Sequence, residues 1–259
     1  MSAQRLTAID EGHGPPVVLV HSSGMSSRQW RKLVDHLSAS HRVVAPDLLG
    51  SGANPPWTDD PAFQIDDELD ALDAWVTDVG GPVHLVGHSY GGLLALRLAR
   101  RDPARVRSLT VYDPVAFGVL ARTAPDETDA VLRDASLGGG DRWFEAFVDF
   151  WNGPGAWRAL PGPTRDGFLR VGRKVFREVS ALLDDRTPAS AYAGITAPTL
   201  LLSGEHTPRA ARRVAEILAG ALPTAQHEVV AGAGHMGPLT HAGAVNARIV
   251  AHLAANEPG

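Results

Sequence analysis

Seven short apolar runs punctuate this chain, and five of them fall within the first 115 residues with longer amphipathic stretches between them. Apolar runs of four to six residues alternating with helix-length stretches are the pattern of βαβ units wound around a mostly parallel sheet. The sequence predicts strands over residues 5–9, 17–20, 43–46, 83–87 and 108–113, with helices over 27–38, 64–79 and 90–101. The same alternation resumes with strands over 199–203 and 227–230 and helices over 209–219 and 241–255. Between them, residues 117–192 carry no strand pattern and read as several helices separated by breaks such as Gly138-Gly139-Gly140 and Asn152-Gly153-Pro154-Gly155. The expected fold class is therefore α/β: a doubly wound core from residues 1–116 and 193–259, with residues 117–192 inserted as a helical cap.

In that insertion Trp143, Phe144, Phe147, Phe150 and Trp151 recur at helical spacing and form one aromatic face. The face either packs as core or lines an apolar substrate pocket, and different residues can do each. Arg158, Arg165, Arg170 and Arg173 stand on the same segment, as solvated helix-surface cations or as an anchor for a substrate carboxylate.

A formal net charge of −5 with no basic stripe argues against a nucleic-acid partner. The cluster Arg97, Arg100, Arg101, Arg105 and Arg107 falls at an expected helix end, where cations complement the helix dipole. The chain has no cysteine, which excludes disulfides, thiolate catalysis and Cys-based zinc sites. Its first residues, Met-Ser-Ala-Gln-Arg, lack an apolar leader core, and no stretch has the length of a membrane span, so a cytoplasmic protein with no membrane partner is expected.

The chemistry is concentrated in Gly87-His88-Ser89-Tyr90-Gly91, a G-x-S-x-G pattern. It follows the apolar run Val83-His84-Leu85-Val86 and opens the predicted helix at Tyr90, the strand–turn–helix context in which a serine hydroxyl is presented at the tip of a sharp turn. A helix N-terminus beside that serine also favours developing negative charge. Three further motifs follow the same order along the chain: Leu19-Val20-His21-Ser22-Ser23-Gly24, Asp47-Leu48-Leu49-Gly50-Ser51-Gly52 and Gly232-Ala233-Gly234-His235.

With these four motifs the chain resembles the α/β-hydrolase fold family, over nearly all of its length apart from the cap. The resemblance implies Ser89 as nucleophile, His235 as general base, and the backbone N–H groups of Ser23 and Tyr90 as oxyanion donors. The early loop departs from the family's usual His-Gly by placing Ser22 after His21. His21 and His88 are expected to brace loops around the site. In place of the Asp that the family most often carries after its sixth-strand equivalent, this chain has Thr207, in Gly204-Glu205-His206-Thr207-Pro208. Some relatives carry the acid at the end of the preceding strand, where Asp113 stands, so Asp113 is the expected third member and Glu205 the alternative.

The activity these residues imply is hydrolysis of a carboxylic ester or lactone of a small to medium apolar substrate through an acyl-enzyme. No cofactor or metal is called for, and the expected partner is the small-molecule substrate alone. The same constellation supports perhydrolysis or C–C bond hydrolysis, and the Thr207 and Ser22 departures admit a binding or sensor protein with little turnover.

Overall fold

The computed structural model describes residues 6–58, 63–120 and 127–257. Arg5, the first residue of the predicted opening strand, and the N-terminal residues on which the leader reading rests lie outside them.

Seven strands form one sheet: β1 (Ala8–Glu11), β2 (Pro16–Val20), β3 (Arg42–Pro46), β4 (Val83–His88), β5 (Val106–Tyr112), β6 (Thr199–Gly204) and β7 (Ala225–Val230). Their order is β1-β3-β2-β4-β5-β6-β7, and every pairing is parallel except β1 with β3. The apolar runs are continuous because both faces of the sheet are covered. Along β2, Val18 and Val20 pack with α2 (Ile65–Val79) and α3 (Tyr90–Arg101). Val17 and Leu19 pack on the other face with α1 (Arg31–Leu37) and α10 (Ala242–Ala254). The chain therefore adopts a mostly parallel, doubly wound α/β architecture.

One predicted helix is broken and another gains a short neighbour. The stretch 27–38 begins as a 3-10 turn over Ser27–Trp30 before α1, its first N–H held by the Asp47 carboxylate at 2.7 Å. The stretch 241–255 forms α10 and is preceded by a short α9 (Gly237–Thr240), with the non-helical His241 (φ −124°, ψ 35°) between the two.

Between β5 and β6 the chain leaves the sheet and forms α4 (Glu127–Arg133), α5 (Asp141–Asn152), α6 (Ala156–Ala159) and α7 (Gly162–Asp184). These helices enclose an aromatic cluster of their own: Trp143 stacks on Phe147, and Phe144 on Trp157, with ring centroids 5.1 and 5.3 Å apart. Trp143 and Phe144 are fully buried there, whereas Phe147 and Trp151 face the cavity described below, so the aromatic face divides between core and pocket. Helix α8 (Arg209–Ala221) completes the layer beside β6. Three arginines of the basic cluster around the end of α3 meet carboxylates: Arg97 meets Asp185, Arg101 meets Asp70, and Arg105 meets Asp73, at 3.0, 2.6 and 2.8 Å. Among the described residues, no helix is long and apolar enough to cross a membrane.

Candidate active site

Ser89 follows β4, Asp113 follows β5, Thr207 lies in the loop after β6, His235 in the loop after β7, and Ser23 in the loop after β2. All stand at the carboxyl edge of the sheet, where open α/β sheets gather their ligands.

Ser89 occupies a left-handed conformation (φ 55°, ψ −117°) that an L-residue adopts only when the surroundings enforce it. Its N–H donates to the Tyr112 carbonyl at 2.9 Å, tying the turn to β5. The flanking glycines are steric requirements. A Cβ on Gly87 would lie 2.3 Å from the Gly91 carbonyl oxygen, and one on Gly91 would lie 2.3 Å from that of Val20. Only bare backbone lets β4, the turn and β2 approach so closely.

His235 Nε2 lies 3.0 Å from Ser89 Oγ, and its Nδ1 lies 3.3 Å from Asp113 Oδ2. Ser89, His235 and Asp113 are all buried, so the chain of three is shielded from bulk water. Burial pushes the His235 imidazole down to about 3, which leaves it neutral and able to accept a proton. Burial also raises the Asp113 carboxyl, against the opposing pull of Thr207, Ser203 and the Gly204 N–H; a proton arriving on the imidazole at its Oδ2 offsets that penalty, so the carboxylate is favoured when His235 is charged. Thr207, standing where the resemblance places an acid, donates its hydroxyl to Asp113 Oδ2 at 2.6 Å. Glu205 is exposed and accepts the Gly232 N–H at 2.7 Å, so it steadies the loop that leads to His235 without reaching the imidazole.

Ser23 lines the cavity beside Ser89. Tyr90 opens α3, so its N–H has no acceptor one turn back in the helix. The Ser22 departure has a partner that the sequence did not reveal: the Ser22 hydroxyl and N–H both donate to Gln29 Oε1, at 2.9 and 3.2 Å. Gln29 thereby fixes the loop at the position where glycine is usual. His21 ties the same loop to the next one, its Nδ1 against the Ser22 carbonyl at 2.8 Å and its Nε2 accepting the Leu48 N–H at 3.0 Å. His88 donates from Nε2 to the carbonyl of His235 at 2.8 Å.

His21 is a neutral imidazole by construction, because a second ring proton would point at the Leu48 N–H. Burial accordingly lowers it to about 4. An unfolded histidine takes its proton near pH 6.5, so this position contributes stability fully above that pH and loses it as pH falls toward 4. A His21→Gln variant is expected to be less stable than wild type at pH 7.5, with its deficit shrinking by about 1 kcal/mol at pH 5.5. Paired urea denaturation curves at the two pH values check this, and a deficit that does not change with pH contradicts it.

A cavity of about 350 Å³ opens over Ser89 and His235, walled by Phe147, Trp151, Leu160, Phe168 and Leu239. Among the described residues that line it there is no Asp, Glu, Lys or Arg. The insertion's arginines stand outside it: Arg158 pairs with Glu145, and Arg170 lines an outer groove of about 860 Å³ that meets the cavity at Met25, Thr164 and Phe168.

The model of the alpha/beta hydrolase family matches residues 17–248, and the chain belongs to that family. Among curated proteins it is similar to Lipase LipV of Mycobacterium tuberculosis, 35% identical over 161 residues, 60% of this chain and 57% of that protein. It is also similar to the 2-hydroxymuconate semialdehyde hydrolase of Pseudomonas sp. strain CF600, 37% identical over 113 residues, 39% of this chain and 37% of that protein. The chain thus spans from about a third to just over half the length of these relatives. The enol-lactonase from Burkholderia xenovorans LB400 shares the fold, with a TM-score of 0.76 over 96% of both chains at 22% identity.

Proposed function

We propose that this protein is a serine hydrolase that cleaves a carboxylic ester or lactone of a small to medium, uncharged and apolar substrate through an acyl-enzyme. The observation that carries the reading is the continuous hydrogen-bonded path from Ser89 Oγ through the His235 imidazole to Asp113. In it, Ser89 attacks the carbonyl carbon while His235 Nε2 takes the serine proton, and Asp113 holds Nδ1–H toward itself as the imidazolium forms. The N–H groups of Ser23 and Tyr90 receive the oxyanion. His235 then returns its proton to the leaving group, and a water, deprotonated by the same imidazole, releases the acid. The inserted helices act as a cap that walls the acyl pocket, and no cofactor is required.

The uncharged wall of the cavity supports a neutral substrate. The similarity to 2-hydroxymuconate semialdehyde hydrolase favours a second reading, C–C bond cleavage by the same residues, with a neutral dicarbonyl compound as the fitting substrate. A chain-length series of p-nitrophenyl esters tests the first reading: hydrolysis that peaks at short to medium acyl chains supports it. Inertness toward every ester, with turnover of a neutral diketone, transfers the assignment to the second.

The acid side of the pH profile follows from burial. Only neutral His235 can accept the serine proton, so kcat/KM falls as pH drops through its titration. Because burial lowers that group, the midpoint is expected below 6.5. A profile of kcat/KM from pH 2.5 to 8.5, with circular dichroism at each pH to show an intact fold, measures it, and an acid limb centred above 6.5 contradicts the assignment of this buried imidazole as base.

A further inference from the structure

The hydrogen-bonded path accounts for the two nitrogens of His235 but not for the faces of its ring. One face is covered from the inserted helices: the Trp151 indole lies parallel to the imidazole, with ring centroids 3.8 Å apart and planes 19° from coplanar. Trp151 sits in the last turn of α5, just before Gly153 ends the helix with φ 95°. Its own position is fixed by packing, stacked near Phe117 with centroids 6.3 Å apart and edge-on to Phe150 at 4.9 Å. The indole is 8% exposed.

The geometry points to Trp151 as a positioning residue for His235: it holds the imidazole plane so that Nε2 faces Ser89, and its π face stabilises the imidazolium formed during attack. This rests on His235 acting as the base. A cation over the face of an indole is attracted by the ring quadrupole, most strongly where water is excluded, and tryptophan provides the strongest such face. Among the described residues, Asp113 at Nδ1 is the other group placed to stabilise a cation on this ring. The second titratable neighbour, His88, lies with its ring centroid 5.0 Å away; burial holds it well below its ordinary value, so it stays neutral and adds no charge. Tyr112 donates its hydroxyl to the Gly234 carbonyl at 2.7 Å and adds no charge. As Ser89 Oγ bonds to the carbonyl carbon, its proton passes to His235 Nε2, and the new charge spreads over a ring already lying against the indole.

The test uses phosphonylation of Ser89 by a p-nitrophenyl alkylphosphonate, in which an Oγ–P bond forms, p-nitrophenolate leaves and His235 takes the serine proton. Rates are read from nitrophenolate release between pH 2.5 and 9 for wild type, Trp151→Phe and Trp151→Leu, in assays short enough that circular dichroism shows an intact fold. Trp151→Leu is expected to slow the plateau about tenfold and move the acid limb about one unit lower, and Trp151→Phe to recover most of both. A slower plateau with the limb unmoved, or moved to higher pH by water reaching the ring, overturns the proposal and leaves Trp151 as a packed wall.

A second readout keeps the two readings apart and needs no reaction. An imidazolium quenches a stacked indole, so wild-type tryptophan emission is expected to fall on acidification with a step that is absent in both Trp151→Phe and His235→Gln. If that step is present but wild type is never phosphonylated, the hydrolase reading fails while the stack stands. Absence of the step in a reactive wild type overturns the stack.

Discussion

Replacing Ser89 by alanine is expected to lower ester hydrolysis by at least about 10⁴-fold with the fold intact, and Asp113→Asn by about 10³–10⁴-fold, whereas Glu205→Gln changes it by no more than a few-fold. The order follows from position. In the proposed reaction Ser89 supplies the attacking oxygen, and among the described residues that line the cavity its hydroxyl is the one bonded to His235 Nε2. Asp113 Oδ2 lies against Nδ1 of His235, so an amide there presents a donor to a donor or inverts the tautomer. Glu205 spends its carboxylate on the Gly232 N–H, away from the imidazole. Thr207 supplies the sharper test. Its hydroxyl is 2.6 Å from Asp113 Oδ2, so Thr207→Asp alone forces two buried carboxyls into contact and impairs the enzyme. In an Asp113→Asn background the same substitution restores a carboxylate beside His235, and a recovery of about ten- to a hundredfold is expected. Initial rates on one p-nitrophenyl ester, with circular dichroism on each variant, decide it. Unaltered hydrolysis by Ser89→Ala removes the serine from the mechanism.

What the sequence disclosed and what it concealed divide along a physical line. The strands were legible because a sheet covered on both faces writes uninterrupted apolar runs, as in Val17-Val18-Leu19-Val20. The turn at Ser89 was legible because steric closeness of backbones demands glycine at Gly87 and Gly91, and that demand has a fixed spacing. The placement of Asp113 came only through resemblance, since an aspartate at a strand end before Pro114 carries no local mark of its partner. Helix boundaries slipped where a tertiary bond intervened, as at Ser27, whose N–H is taken by Asp47. Gln29 under Ser22 and Trp151 over His235 had no legible signature as site residues, because each is defined by what the fold brings to it. Trp151 was visible as one member of an aromatic face, but the face alone does not say which ring turns toward the imidazole.

Replacing Lys174 by methionine is expected to destabilise the protein by about 3–5 kcal/mol, although the substitution is apolar and the site is buried. Lys174 of α7 is 2% exposed and is held between the carboxylates of Glu68, from α2, and Glu178, one turn further along α7. These carboxylates have 0% and 1% exposure. The cluster therefore bolts an inserted helix to the core through two acids and one base, and removing the base leaves two carboxyls facing each other without water. Burial already raises the Glu68 carboxyl above its ordinary value with the lysine present. Without it the folded state holds the Glu68 carboxyl protonated, while the unfolded chain ionises it above about pH 4.5. The loss is thus smallest near pH 5 and grows as pH rises toward 8. Urea denaturation at both values measures it, and a Lys174→Met loss that is flat with pH contradicts the account. Adding Glu68→Gln and Glu178→Gln to the variant is expected to recover much of the stability, because neutral amides no longer need the cation. The consequence reaches the reaction as well. Glu68 also accepts the Leu49 N–H at 3.2 Å, and Lys174 Nζ lies 5.6 Å from the ring centre of Tyr90, the residue that follows Ser89. A seam loosened at Lys174 is therefore expected to disturb the turn at Ser89 as well, and ester hydrolysis by Lys174→Met is expected to fall at urea concentrations below its unfolding midpoint.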